Sequence, residues 1–182
     1  MEADRNNSVG RGNNLLFQRN SDWLAGRASI SAENLVLIAD DSETDIFFLL
    51  RAFAASGVQN SIHVCRNGEE TLSYLQGTGK HSNRARFPIP KIVLLDLYMP
   101  RPDGFEILEW KGRQPELKET LFIALSNSDR LRDINRAYTL GASTFLSKPL
   151  QGEDVANLLA AFDQHWSLRK SAAVFPLAQN RP

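Results

Sequence analysis

Five polar residues stand at the ends of short apolar runs, and together they carry the chemistry this chain offers. Asp40 and Asp41 follow Leu35-Val36-Leu37-Ile38-Ala39, and Asp96 follows Ile92-Val93-Leu94-Leu95. Ser126 follows Leu121-Phe122-Ile123-Ala124-Leu125, and Lys148 follows the run from Thr144 to Ser147. If those runs are parallel strands, their ends meet at one rim, where the loops of an open α/β sheet diverge into a crevice. Three carboxylates gathered there raise one another's proton affinity unless a divalent cation neutralises them. An oxygen-only donor set in an open crevice suits Mg²⁺, which keeps several waters and takes one or two carboxylates together with phosphate oxygens. A cation beside a carboxylate balances charge on a transferring phosphoryl group. Lys148 would add a fixed positive charge, and the Ser126 hydroxyl a hydrogen bond to a phosphoryl oxygen. Singly, each has an ordinary role: a helix cap for Asp40 and Asp41, a loop hydroxyl for Ser126, a solvated lysine for Lys148. Five such residues at the ends of four strands favour a common site.

The elements that must position them follow from periodicity and punctuation. Continuous apolar runs at 35–39, 92–95 and 121–125 read as strands buried on both faces, as in a parallel sheet. Ile62 and Val64 alternate with His63 and Cys65, the pattern of a less covered edge strand, and 144–147 is a brief fifth strand. Helices are expected at 43–56, stopped by Gly57, after Asn67-Gly68 with Leu72 and Leu75, and at 103–111 with Asp103 as cap. A further helix at 129–140 carries Leu131, Ile134 and Tyr138 at helical spacing, and one at 153–166 buries Val155, Leu158, Leu159 and Phe162. Five strands alternating with five helices make a doubly wound five-stranded parallel sheet, and right-handed crossovers favour the flavodoxin-like order 2-1-3-4-5.

Residues 33–166 form one domain on this reading, between a polar N-terminal arm, 1–32, and a tail, 167–182. The loop 76–90 is long and basic, with Lys80, His81, Arg84 and Arg86. A formal net charge of zero supplies no overall attraction to nucleic acid or anionic membrane. The lone Cys65 excludes an internal disulfide and a multi-cysteine zinc site, and its strand position suggests packing. No apolar run approaches membrane-spanning length, so a soluble, cytoplasmic protein is expected.

The paired acids, LLDLYMPRPDG and SKP together resemble the receiver domain of bacterial two-component response regulators, over about 35–166. The resemblance implies that Asp96 is the phosphoacceptor and that Asp40, Asp41, Asp96 and the Tyr98 carbonyl hold Mg²⁺. It implies Ser126 as switch hydroxyl, Phe145 as switch aromatic, Lys148 as the phosphate-contacting lysine, and a cis bond between Lys148 and Pro149. It further implies a protein that relays a signal rather than an enzyme acting on an external substrate. Asn127 stands where receivers usually have a small residue. The extended 76–90 loop and Asp41-Ser42-Glu43-Thr44-Asp45 resemble the single-domain regulators that partner phytochrome histidine kinases. That narrower resemblance implies a homodimer gripping through its C-terminal arms, with Val174, Phe175 and Leu177 buried beside Pro176.

Three other readings compete. An aspartate-nucleophile phosphatase needs a second Asp two residues after the first, where this chain has Tyr98. A degenerate receiver that only binds partners would not need all five positions filled with competent residues. A DNA-binding regulator would need more than the 16 residues from Ser167 to Pro182. The helix at 43–56 is apolar on two stripes; the receiver resemblance places Phe48, Leu49 and Phe53 in the core and leaves Ile46, Phe47 and Leu50 exposed for a kinase.

Overall fold

The apolar runs pair as strands, and the intervening segments are helical, three of them opened by a capping side chain, Ser42, Asn67 or Asp103. The computed structural model describes residues 35–56 and 61–161. In chain order they form β1 (Leu35–Ala39), α1 (Glu43–Ala55), β2 (Ser61–Cys65), α2 (Gly68–Gln76), β3 (Ile92–Asp96), α3 (Gly104–Lys111), β4 (Leu121–Ser126), α4 (Leu131–Thr139), β5 (Thr144–Ser147) and α5 (Gly152–Ala161). The strands make one parallel sheet in the order β2-β1-β3-β4-β5, the expected arrangement. The stop at Gly57, the arm, the tail and the burial of Leu159 and Phe162 lie outside what is described.

Alternation along the central strands sends successive side chains to opposite faces. Leu35, Leu37, Ala39, Val93, Leu95, Phe122 and Ala124 pack with α2, α3 and α4 on one face. Val36, Ile38, Ile92, Leu94, Ile123 and Leu125 pack with α1 and α5 on the other. The register sets Ala39 beside Leu95 and Asp96 beside Leu125, so the residues that end β1, β3 and β4 reach the rim at one level.

Caps fix where the helices start. Ser42 accepts from the Asp45 N–H at the head of α1, Asn67 from Glu70 at α2, and Asp103 from Glu106 in a reciprocal capping box at α3. Glycine is required at two of these junctions. A Cβ at Gly104 would lie 2.3 Å from the Asp96 carbonyl oxygen, and one at Gly68 would lie 1.7 Å from that of Pro102. The loop after β3 is thus pressed against α2 and α3 with no room for a side chain at either contact.

Two helices are rotated differently from the expectation. In α1 the buried residues are Ile46, Leu49, Ala52 and Phe53; Ile46 is 3% exposed, whereas Phe47 and Phe48 are 49% and 43% exposed. The assignment of Phe48 to the core and of Ile46 and Leu50 to the surface is therefore corrected, Leu50 being half-buried against the core. The cause is Asp45, which pairs with Lys148 at 2.9 Å and turns its own side of the helix toward the sheet, with Leu49 and Ala52 one and two turns on. In α4 the buried residues are Asp133 and Ala137, while Leu131 is 75% exposed and Tyr138 is also exposed. The apolar spacing of Leu131, Ile134 and Tyr138 does not mark the inner face, because hydrogen bonds to Asp133 from neighbouring loops hold that carboxylate inside.

The basic 76–90 loop is tied down by its own charges. The Arg84 guanidinium donates to the carbonyls of Tyr74 and Leu75 at the end of α2 and to that of Phe87, satisfying helix-terminal acceptors. His81 is buried against Tyr74, His63 and Phe87. Burial, and then repulsion from His81, lower the His63 pKa to about 4, and burial lowers that of His81 as well. Unfolding therefore takes up protons below the ordinary histidine value of 6.5. The stabilisation is complete above that pH and is lost as pH falls toward 4. In thermal or urea melts, His63→Phe should lose roughly 2 kcal/mol less stability than the wild type between pH 6.5 and 4.

Candidate functional site

Lys148 follows β5 and points back across the rim, where its side chain is only 3% exposed. Its Nζ donates to Asp96 Oδ2 and to Asp45 Oδ2, each at 2.9 Å. It also lies 2.6 Å from Asp40 Oδ2, out of line for a hydrogen bond, so that buried oxygen has a charge contact and no directed donor. Burial alone would favour loss of the lysine proton, but the three carboxylates more than reverse this and hold the ammonium above its ordinary pKa. Burial pushes the Asp40 carboxyl up, against the opposing pull of Lys148 and of the Ser42 N–H, which donates to Oδ1 at 3.0 Å.

Asp40, Asp41 and Asp96 come together as expected: one carboxylate oxygen from each lies within 4.8 Å of the others. Asp40 and Asp96 are buried and Asp41 is exposed. With Asp45, four carboxylates gather at the rim and three of them contact the one ammonium; the surplus negative charge, the donorless Asp40 Oδ2 and the all-oxygen donor set fit a hard divalent cation. Asp96 Oδ1 accepts from the Tyr98 N–H at 3.0 Å.

Ser126 ends β4 fully buried, and its Oγ accepts from the Ser128 N–H at 2.9 Å. The Lys148 N–H donates to the Ser126 carbonyl at 2.9 Å, which joins the loops after β4 and β5. Phe145 lies half-buried on β5 beside Ala124, against the core on the α2–α4 face. The Lys148-Pro149 bond is cis, and so is Arg101-Pro102. Cys65 is buried in β2 with its thiol pushed up to about 12 by burial, the state of a packing residue rather than a nucleophile.

Two participants were not singled out from sequence. Asp45 lies one helical turn beyond Asp41, and that spacing at the head of an apolar helix was a signal for a rim-facing carboxylate. Asp133 had no linear signal, since an acid in the first turn of a helix reads as an ordinary N-terminal charge and Tyr98 is remote in sequence. Its Oδ2 accepts from the Tyr98 hydroxyl at 2.7 Å and from the Ser128 hydroxyl at 3.0 Å. The Tyr98 bond holds the Asp133 carboxyl below its usual range and raises the phenol.

Known proteins resemble this chain in fold and sequence. A response regulator of red light signaling in R. palustris, RPA3017, is 31% identical, with a TM-score of 0.68 over 76% of this chain and 99% of its own. The bacteriophytochrome response regulator AtBRR is 30% identical, with a TM-score of 0.65 over 76% of this chain and 98% of its own. Response regulator Rcp1 of Synechocystis sp. is 26% identical over 132 residues, which are 72% of this chain and 88% of its own. Its Mn²⁺-bound form superposes with a TM-score of 0.61 over 72% of this chain and 92% of the solved chain. Residues 36–160, from the first strand to the last described helix, match the response regulator receiver domain, and the chain belongs to that family.

Proposed function

We propose that this protein relays a signal by accepting a phosphoryl group on Asp96 from a phosphohistidine of a sensor histidine kinase. A carboxylate oxygen of Asp96 attacks phosphorus, the phosphorus–nitrogen bond to the kinase imidazole breaks, and the imidazole keeps the electron pair. The observation that carries the reading is the pairing of Asp96 with a buried ammonium inside an acidic cluster at the rim of the sheet. Lys148 keeps a positive charge beside the carboxylate that would bear the phosphoryl group, and Ser126, on the next strand, supplies a hydroxyl. Phe145, on β5 beside β4, is placed to follow movement of Ser126.

Asp40, Asp41, Asp96 and the Tyr98 carbonyl would hold Mg²⁺, which when bound neutralises charge on the phosphoryl oxygens. The reading further assigns residues 33–166 as the receiver and 1–32 and 167–182 as flanking arms. The likeness to RPA3017 and AtBRR supports a phytochrome as the kinase. Among the described residues no helix is long and apolar enough to cross a membrane, which accords with a cytoplasmic partner. Homodimerisation through Val174, Phe175 and Leu177 belongs to the same reading, because three apolar side chains around Pro176 need a surface.

Intact mass after incubation with acetyl phosphate and Mg²⁺ tests the phosphoacceptor. The wild type should gain one phosphoryl group and Asp96→Asn none; an equal gain in both would place the acceptor elsewhere. Asp40→Asn should weaken Mg²⁺ binding about tenfold or more by titration calorimetry, since it removes a charged ligand. The kinase contact is tested separately at α1, where Phe47 and Phe48 are exposed and Phe48 lines a cleft with Asp45, Lys148 and Pro149. Phe47→Ser with Phe48→Ser should slow phosphotransfer from a cognate kinase about tenfold while sparing acetyl phosphate. Equal slowing with both donors would make the two residues structural.

A further inference from the structure

Three carboxylates are buried among the described residues. Asp40 and Asp96 belong to the acidic site; Asp133, 3% exposed on the first turn of α4, does not. A carboxylate without water needs several donors, and Asp133 draws them from two different loops. The Tyr98 hydroxyl comes from the loop after β3, and the Ser128 hydroxyl from the loop after β4, both onto Oδ2. The Arg132 guanidinium stands 3.7 Å from Oδ1.

Each loop is joined in turn to a residue of the site. The Tyr98 N–H donates to Asp96 Oδ1, and the Ser128 N–H donates to Ser126 Oγ. The Ser128 hydroxyl also accepts from the Arg130 N–H at 3.3 Å, which fastens the loop to the start of α4. The links run unbroken from Asp96 through Tyr98, Asp133 and Ser128 to Ser126. We propose that Asp133 is a positioning residue, a latch that holds the loops after β3 and β4 in the arrangement seen here and so opposes phosphorylation of Asp96. Movement of Ser126 toward a phosphoryl group on Asp96 must carry its loop along or break the Ser128 N–H bond. If the loop moves, the strain falls on the two bonds to Asp133 Oδ2. By linkage, whatever stabilises the present arrangement against the moved one slows phosphorylation, and removing it speeds phosphorylation.

The inference rests on the reading of Asp96 as phosphoacceptor, and the experiment separates the two. Rates of phosphorylation by acetyl phosphate with Mg²⁺ are measured by intact mass for the wild type, Asp133→Asn and Tyr98→Phe, and for each variant in a Ser126→Ala background. Tyr98→Phe keeps the ring and the backbone carbonyl and loses only the donor, at an exposed side chain. It carries the test alone if Asp133→Asn does not fold. Both variants should be phosphorylated about three- to tenfold faster than the wild type, the effect of losing one charge-assisted hydrogen bond from the latched arrangement. That gain should vanish in the Ser126→Ala background, because the latch acts through Ser126. Variants no faster than a wild type that is itself phosphorylated overturn the latch and leave the phosphoacceptor reading standing. A gain that persists undiminished without the Ser126 hydroxyl also overturns it. A wild type that takes up no phosphoryl group overturns both.

Discussion

A buried ammonium ion surrounded by Asp40, Asp45 and Asp96 is the constraint from which the rest of the structure follows. Removing an ammonium from water costs several kcal/mol, so Lys148 is tolerable only where carboxylates converge on it. Here a parallel sheet brings about the convergence: strands β1, β3 and β4 end at one rim, β5 returns the lysine to it, and α1 adds Asp45. Convergence also fixes the rotation of α1, because Asp45 must reach the same charge. The apolar side chains of that helix then divide according to their angle from Asp45 rather than by hydrophobicity, and two phenylalanines are left in solvent.

The same ion pair sets the terms on which the site admits another cation. Lys148 neutralises one charge of a cluster with four carboxylates, and it does so at Asp40 Oδ2 by contact alone. Such a cluster remains electronegative, and a divalent ion and the ammonium compete for the same oxygens. Burial raises the proton affinity of Asp40, so protons compete there as well. A divalent cation, the ammonium and protons would thus share one group of acids, and their binding there would be coupled.

Much of this was legible in sequence for a plain physical reason. A strand buried on both faces is a continuous apolar run, so the residue that ends it is conspicuous; Asp40, Asp96 and Ser126 stand at the ends of such runs, while Lys148 follows the shorter, half-buried β5. The sheet order followed from handedness and the caps from their side chains. What stayed hidden was rotation about helix axes. α1 is apolar on two stripes, so periodicity had no preferred inner face, and Asp45, Phe48 and Ile46 were misplaced or overlooked together. In α4 Leu131 and Tyr138 point outward, while a carboxylate points in beside Ala137. That inversion becomes intelligible only when the hydroxyls of Tyr98 and Ser128 arrive from loops that sequence leaves unconnected.

Where polar groups are buried by design, a change of state must exchange one satisfied set for another. The ladder bonds of the five strands hold the rim at one level and join the strands from end to end, so exchanging them would open the sheet itself. The side-chain bonds above the rim are few, directional and borne by loops: Ser128 to Ser126, Ser128 and Tyr98 to Asp133, Tyr98 to Asp96. Each can be broken without opening the core. Phe145 is already half-buried beside Ala124, so a shift of the β4 loop alters its surroundings without unpacking either face of the sheet. On the proposed reading, a rigid parallel scaffold with a small set of exchangeable bonds along one rim would let a charge change on Asp96 reach the surface of α4 and β5.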